Sequence, residues 1–163
     1  MLKTTAAIMI FGGGLAQTSF APALRVGGIA PDFPLIVVAL LALRRGPELG
    51  CVAGFAAGLL QDAAGGGFLG AQALTKALVG FAVGSADGRL WVNNPLVQVP
   101  GLVILSVGEG LARYALLQLF HFPAPFGELM LYVVLPQALY NGVIGAGATF
   151  ALAWAESVRD REP

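Results

Sequence analysis

Apolar residues occur in long runs along the whole chain, and short polar or turn-forming clusters separate each run from the next. Two such clusters are Arg-Arg-Gly-Pro at 44–47 and Gln-Asp at 61–62. A helix needs roughly 20 residues to cross a bilayer. The pattern therefore predicts six transmembrane helices within one integral membrane domain, 1–163. Their approximate bounds are 4–21, 28–43, 48–62, 68–85, 96–120 and 126–155.

The composition supports a membrane protein. Apolar residues make up 57% of the chain and charged residues 11%, and the mean hydropathy is +0.80. An average soluble domain has about 25% charged residues. This balance excludes a soluble globular domain, a disordered chain and a basic nucleic-acid-binding protein. The fold class that remains is an all-α polytopic membrane protein, surrounded by membrane lipid and with no nucleic-acid partner.

Basic residues indicate the orientation, because cytoplasmic loops carry an excess of Lys and Arg. With six helices and a cytoplasmic N-terminus, only Arg25 falls in an outer segment. Six basic residues fall in inner segments: Lys3, Arg44, Arg45, Arg89, Arg159 and Arg161. Both termini are therefore expected in the cytoplasm, where Trp91 and Trp154 would belong to an interfacial aromatic belt. Asp32, Asp62 and His121 would then face outward.

Three charged residues, Lys76, Glu109 and Arg113, fall in the interior of predicted helices, away from the first and last turns. At 1.5 Å per residue, Lys76 lies about 12 Å from the outer end of its helix and Glu109 about 18 Å from the inner end of its own. In a core about 30 Å thick both residues are therefore at a similar depth, so we expect the two side chains to pair. Arg113 lies four residues after Glu109, on the same helix face. Gln137 and Asn141 share a face of the last helix and are further candidates for this network. The cluster either fixes helix packing or forms a substrate or proton path.

Two aspartates are expected at helix ends. Asp32 precedes a helix, where a carboxylate suits the helix dipole and caps the first turn. The second helix reaches spanning length only if 26–30 belong to it, which places Asp32 near a membrane boundary. Asp62 ends a helix, where its charge is unfavourable, so it should have a partner. Arg25 or backbone N–H groups of the glycine loop 65–67 are the candidates.

Glycines recur every four residues at Gly50, Gly54 and Gly58. Such small-xxx-small stripes let helix backbones approach closely in lipid. The stripe either receives a partner's helix or packs the protein's own helices, and the same alternatives apply to Gly142, Gly145 and Gly147. Arg44 and Arg45 either contact anionic lipid or a cytoplasmic partner, or simply anchor the helix end.

Candidate catalytic chemistry is sparse. The chain has one cysteine, Cys51, and one histidine, His121. One chain therefore supplies no intramolecular disulfide and no metal site made of several His or Cys ligands. No serine nucleophile lies in a recognisable motif. We expect no enzyme activity, no catalytic residue, and no cofactor or metal.

A set of short motifs runs through the first half of the chain: Pro31-Asp32, Leu35 to Leu43, Arg44-Arg45-Gly46-Pro47, Gly54-Phe55, Gly58-Leu59-Leu60-Gln61-Asp62 and Phe68-Leu69-Gly70. With these motifs, roughly residues 30–86 resemble the MreD family of rod shape-determining proteins. The chain departs from the family pattern at Ala71-Gln72, where a larger apolar residue and often a His or Asn is expected.

The resemblance implies a non-enzymatic, multi-pass protein of the bacterial inner membrane that acts in cell elongation. Its architecture would resemble the substrate-binding subunits of energy-coupling-factor (ECF) vitamin transporters. It implies that MreC binds directly, and that RodA, a class B penicillin-binding protein and MreB are linked indirectly. The resemblance implies that this protein and these partners together control lateral peptidoglycan synthesis and rod shape.

Two other functions remain open from the sequence. A vitamin-binding transporter subunit would need an outward pocket lined by aromatic and polar groups. An enzyme acting on lipid-linked substrates would need an outward carboxylate pair, for which Asp32 and Asp62 are the candidates.

Overall fold

Helices account for all the regular secondary structure in the computed structural model, which describes residues 2–65, 68–86, 95–122 and 125–159. The predicted all-helical class is therefore confirmed for these residues. The elements in chain order are α1 (Leu2–Ser19), α2 (Phe33–Arg45), α3 (Pro47–Gly65), α4 (Ala71–Ser85), α5 (Pro95–Leu119), α6 (Phe126–Leu129), a π-helical turn (Met130–Val134) and α7 (Leu135–Arg159).

The second helix is shorter than predicted. Residues 28–32 are not helical, because Gly27 and Gly28 have φ angles of 59° and 86° and form a tight turn. Asp32 then caps the helix, accepting a hydrogen bond of 3.0 Å from the backbone N–H of Leu35. The 13 residues of α2 therefore extend about 20 Å, which is less than the thickness of a bilayer core.

Other predicted helix bounds also change, and the third helix continues to Gly65 rather than ending at 62. The fourth helix begins at Ala71 rather than 68, because Gly70 has a φ of 101° that a helix does not accommodate. The last run is interrupted by the π-helical turn at Met130–Val134, and its helix continues to Arg159 rather than ending at 155.

Helix α2 lies at the centre of the packing. It contacts α1, α3, α4, α5 and α7. Its residues Leu35 and Ala42 pack with Val79 and Val83 of α4 in one apolar cluster. On its other side, Leu41 packs with residues of α1 and α3. Helices α5 and α7 pack against each other as a hairpin, which meets the remaining helices through α4 and α2.

Two helical stretches, Val99–Leu119 and Phe126–Ala148, are long and apolar enough to cross a membrane, each with a mean hydropathy of 1.4. Only 22% and 28% of these stretches is buried, so they are unlike the core helices of soluble proteins. Every helix except α2 exposes large apolar side chains. Such a surface suits contact with lipid rather than water.

Some sequence expectations fall on residues that the structure does not describe. Arg89, Trp91 and Arg161 lie outside the described ranges, as do residues 66 and 67 of the glycine loop.

Candidate functional site

A lysine is the largest fully buried side chain among the described residues, and it forms the centre of a polar network. The ammonium of Lys76 donates three hydrogen bonds: to Asp32 Oδ2 at 2.8 Å, to Gln72 Oε1 at 2.7 Å and to Glu109 Oε1 at 3.4 Å. An ammonium group has three N–H donors, so all are satisfied. The predicted contact between Lys76 and Glu109 is present, but the closer carboxylate is Asp32.

Asp32 links the network to two further helices. Its backbone N–H donates to Asn141 Oδ1 on α7 at 2.7 Å. The amide of Asn141 donates in turn to Ser106 Oγ on α5 at 3.0 Å. Asp32 is 2% exposed. Its Oδ1 atom caps α2 and its Oδ2 atom binds Lys76, so the cap of α2 also belongs to the network. Its place near the outer membrane boundary stays a prediction.

Glu109 completes the network on α5. Its Oε1 atom accepts from Lys76 and, at 3.2 Å, from the hydroxyl of Thr75. Lys76 is fully buried, and Asp32 and Glu109 are each 2% exposed. One ammonium is thus shared between two buried carboxylates, and removing a partner from such a cluster leaves an uncompensated charge.

Two other predicted members, and a tyrosine beside one of them, occupy different places. Arg113 is half-buried and forms no ion pair with a described residue, so it does not extend the network. Gln137 donates to the carbonyl of Ala30 at 3.1 Å. Tyr140 donates to the carbonyl of Leu24 at 2.7 Å. Both α7 side chains therefore hold the connection between α1 and α2.

Asp62 binds backbone N–H groups, as expected from one of the two alternatives. The N–H partners that the structure describes belong to the start of α4 and not to the glycine loop 65–67. Its carboxylate accepts from the backbone N–H groups of Gly70 at 2.8 Å, Gln72 at 3.2 Å and Ala73 at 3.2 Å. The first turn of a helix has unpaired N–H groups and a partial positive charge, so this carboxylate caps α4. Arg25 forms no ion pair with Asp62, and the carboxylate of Asp32 binds a different group, the ammonium of Lys76.

Gln72 connects the Asp62 cap of α4 to the network around Lys76. Its backbone N–H binds Asp62, and its side-chain oxygen binds Lys76. Gln72, Thr75 and Ser106 were not predicted as network members. The sequence spacing could have identified Gln72, because it precedes Lys76 by four residues and so lies on the same helix face.

The glycine stripe of α3 packs against α4. A Cβ atom at Gly50, Gly54 or Gly58 would collide with the backbone of Gly80, Lys76 or Gln72, respectively. The stripe therefore packs the protein's own helices and is not open to a partner. In the second stripe, Gly142 and Gly145 face Val103 and Leu102 of α5, while Gly147 has open space around it.

The remaining candidates lie at helix ends. Arg44 and Arg45 are exposed in the last turn of α2. Gly70 is the N-cap residue of α4, where its left-handed conformation directs its N–H to Asp62. These positions end α2 and start α4, respectively.

The network connects helices that are distant in the sequence. Each charged group in it has hydrogen-bond partners from at least one other helix, so α2, α4, α5 and α7 are connected through polar side chains. Among the residues that the structure describes, no three His, Cys, Asp or Glu side chains are grouped as metal ligands.

Comparison with known proteins identifies the family. The sequence model of the family described as rod shape-determining protein MreD matches residues 3–149. Neither a comparison with curated proteins nor one with solved structures gives a match. The match extends well beyond the similarity at 30–86 and covers most of the chain, so the protein belongs to the MreD family of rod shape-determining membrane proteins.

Proposed function

We propose that this protein is a non-enzymatic membrane scaffold of the bacterial cell-elongation machinery. In this role it binds MreC directly, and through MreC it is linked to RodA, a class B penicillin-binding protein and MreB. The complex helps control lateral peptidoglycan synthesis and rod shape. The observation that carries the proposal is the MreD family match across residues 3–149.

The packing supports a scaffold rather than an enzyme. The buried charges bind one another and backbone groups, and the polar network connects four helices. Exposed apolar side chains on α1, α3, α4, α5 and α7 supply surface for lipid and for a partner's helix. Since α4 already covers Gly54 and Gly58, MreC would have to use another surface.

We further propose a multi-pass arrangement in the inner membrane, with six membrane helices and both termini in the cytoplasm. This arrangement resembles the substrate-binding subunit of an ECF transporter. The exposed Arg44 and Arg45 at the end of α2 support it, because basic residues accumulate on the cytoplasmic side. Fluorescent-protein and alkaline-phosphatase fusions to the C-terminus test the topology. With a cytoplasmic C-terminus, the fluorescent-protein fusion should fluoresce and the alkaline-phosphatase fusion should be inactive. An active phosphatase fusion and a dark fluorescent-protein fusion would contradict the orientation.

Co-purification tests the scaffold role. The tagged protein is expressed with MreC from the same organism, extracted in detergent and separated by size exclusion. A stoichiometric complex is expected, and an unrelated single-span membrane protein in place of MreC is the control. A well-folded protein that never elutes with MreC would contradict the proposal. Vitamin binding and association with an energy-coupling module would then be the next measurements.

A further inference from the structure

An open cleft lies beside the polar network, between α1, the C-terminal end of α3 and the start of α4. Its volume is about 770 Å³, which is within the range of small-molecule sites, roughly 300–1,000 Å³. The side chains of Phe11, Leu15 and Leu60 form its apolar part. Gln17, Arg25, Gln61 and Gln72 contribute polar groups. The lining therefore combines an apolar wall with a group of hydrogen-bonding side chains.

Most polar groups of this cleft already have partners within the protein. Gln17 accepts from the backbone N–H of Phe33 at 3.0 Å. Thr18 donates to carbonyls of its own helix. Asp62 accepts the three backbone N–H groups at the start of α4. These side chains shape the cleft, and their hydrogen bonds are already used.

Two groups lack such partners. The guanidinium of Arg25 forms no ion pair with a described residue. The Oε1 atom of Gln61 is buried and has no hydrogen-bond partner, the only such side-chain atom among the described residues. A buried acceptor without a donor costs free energy. The terminal torsion of glutamine is soft, so its amide can turn toward a donor placed in the cleft.

These unmet groups define the chemistry of the occupant. The guanidinium of Arg25 can bind an anion, Oε1 of Gln61 can accept from a hydroxyl or N–H donor, and the apolar wall can pack against a hydrocarbon chain. A phospholipid with a negative phosphodiester and a free hydroxyl on its headgroup can make all three contacts. We propose that the cleft binds one anionic phospholipid, with the phosphate at Arg25, the headgroup hydroxyl at Gln61 and an acyl chain along Phe11, Leu15 and Leu60.

The site also offers a connection to the buried charges. Gln72 lines the cleft and accepts a hydrogen bond from Lys76. A headgroup in the cleft therefore lies one side chain away from the ion network. The proposal does not depend on MreC, so its failure and the failure of the scaffold role are separate results.

Native mass spectrometry of the full chain in detergent tests the site. Lipids with identical acyl chains are added in turn: phosphatidylglycerol, phosphatidylmethanol, which keeps the charge without the hydroxyls, and zwitterionic phosphatidylcholine. We expect one phosphatidylglycerol to be retained about five- to tenfold more tightly than phosphatidylcholine. Retention of phosphatidylmethanol should fall between the two. Equal retention of all three lipids would overturn the proposal.

Variants assign the two contacts. Arg25→Gln is expected to abolish the preference for anionic lipids, and Arg25→Lys to retain it. Gln61→Leu should make phosphatidylglycerol and phosphatidylmethanol equivalent while the preference for charge remains. Arg113→Gln removes a cation outside the cleft and should change neither preference. Arg25 is exposed, so its variants should fold normally, as thermal unfolding of the same samples checks.

Two competition experiments distinguish a bound lipid from a soluble phosphodiester and from a protein helix. Glycerophosphoglycerol, the free headgroup without acyl chains, should not compete at concentrations that saturate with the lipid. Competition at equal concentration would identify a soluble phosphodiester as the ligand and overturn the lipid assignment. Displacement of the bound lipid by a synthetic transmembrane helix of MreC would identify the cleft as a protein-docking surface and would also overturn it.

Discussion

Two interfaces within this bundle are built in opposite ways. At the glycine interface, α3 packs against α4 through Gly50, Gly54 and Gly58, and the two backbones are in contact. At the polar interface, α2 and α4 meet α5 and α7 through Asp32, Lys76, Glu109, Asn141 and Ser106. The glycine interface is made almost without side chains, whereas the polar interface is made of long charged and amide side chains.

The difference reflects what binds helices in lipid. Apolar side chains gain little from leaving lipid for another helix, so association depends on close packing and interhelical hydrogen bonds. The glycine interface uses close packing, which is lost when the backbones separate. The polar interface uses directional bonds between charged groups, whose loss leaves a charge without a partner. The first should therefore be sensitive to added volume and the second to removed charge.

Removal of the buried ammonium should have the largest effect. Lys76→Met keeps the length of the side chain but leaves Asp32 and Glu109 without a cation. We expect a loss of about 3–5 kcal/mol in the free energy of unfolding, since this is the cost of breaking a buried ion pair on one side. Denaturant unfolding in detergent measures it. Arg45→Met, at an exposed position, is the control, and equal losses in both variants would contradict the polar interface.

The energetic coupling between Lys76 and Glu109 should be the next largest effect. Lys76→Ala and Glu109→Ala are each expected to lower the folded yield and the unfolding free energy. The double variant should lose less than the sum, with an interaction of about 0.5–3 kcal/mol, as is found for residues in contact. A double-mutant cycle measures this interaction. Strictly additive losses would show that the contact has no energetic role.

Added volume should disrupt the glycine interface. Gly54→Ala places a methyl group against the backbone carbonyl of Lys76, so α3 and α4 have to separate. Overpacking of this kind costs about 1–3 kcal/mol. Gly12→Ala is the matched control, because a Cβ at Gly12 on α1 has no atom within 4 Å. Thermal unfolding of the two variants side by side checks the prediction, and an equal melting temperature would argue against close backbone contact.

The cap of α4 should contribute a smaller amount. Asp62→Ala removes the acceptor of three backbone N–H groups, and loss of a helix cap costs about 0.5–2 kcal/mol. Asp62→Asn, which keeps one acceptor oxygen, should lose less. Both variants should still insert in the membrane. Rod-shape complementation by each variant separates a functional role from a structural one, and full complementation by Asp62→Ala would remove Asp62 from the functional residues.

The polar interface was only partly predictable from the sequence. The contact between Lys76 and Glu109 follows from depth, because the rise of a helix is fixed. The contact with Asp32 does not, since it depends on the turn at Gly27 and Gly28 that delays the start of α2. Capping of α4 by Asp62 likewise depends on the left-handed conformation of Gly70.

The glycine interface shows a different limit. The four-residue spacing correctly identified Gly50, Gly54 and Gly58 as positions of close helix approach. The same spacing serves a partner's helix and a helix of the same chain equally well. Only the three-dimensional packing, in which α4 covers the stripe, distinguishes the two.

The smallest effect is expected at Arg113, and it tests where the polar interface ends. Helical spacing puts Arg113 on the face of Glu109, one turn further along α5. The side chain is nevertheless half-buried and outside the network, so Arg113→Gln should change the unfolding free energy by no more than about 0.5 kcal/mol. Unfolding of Arg113→Gln and Glu109→Gln under the same conditions makes the comparison. A loss at Arg113 as large as that at Glu109 would mean that the polar interface extends a further turn toward the end of α5.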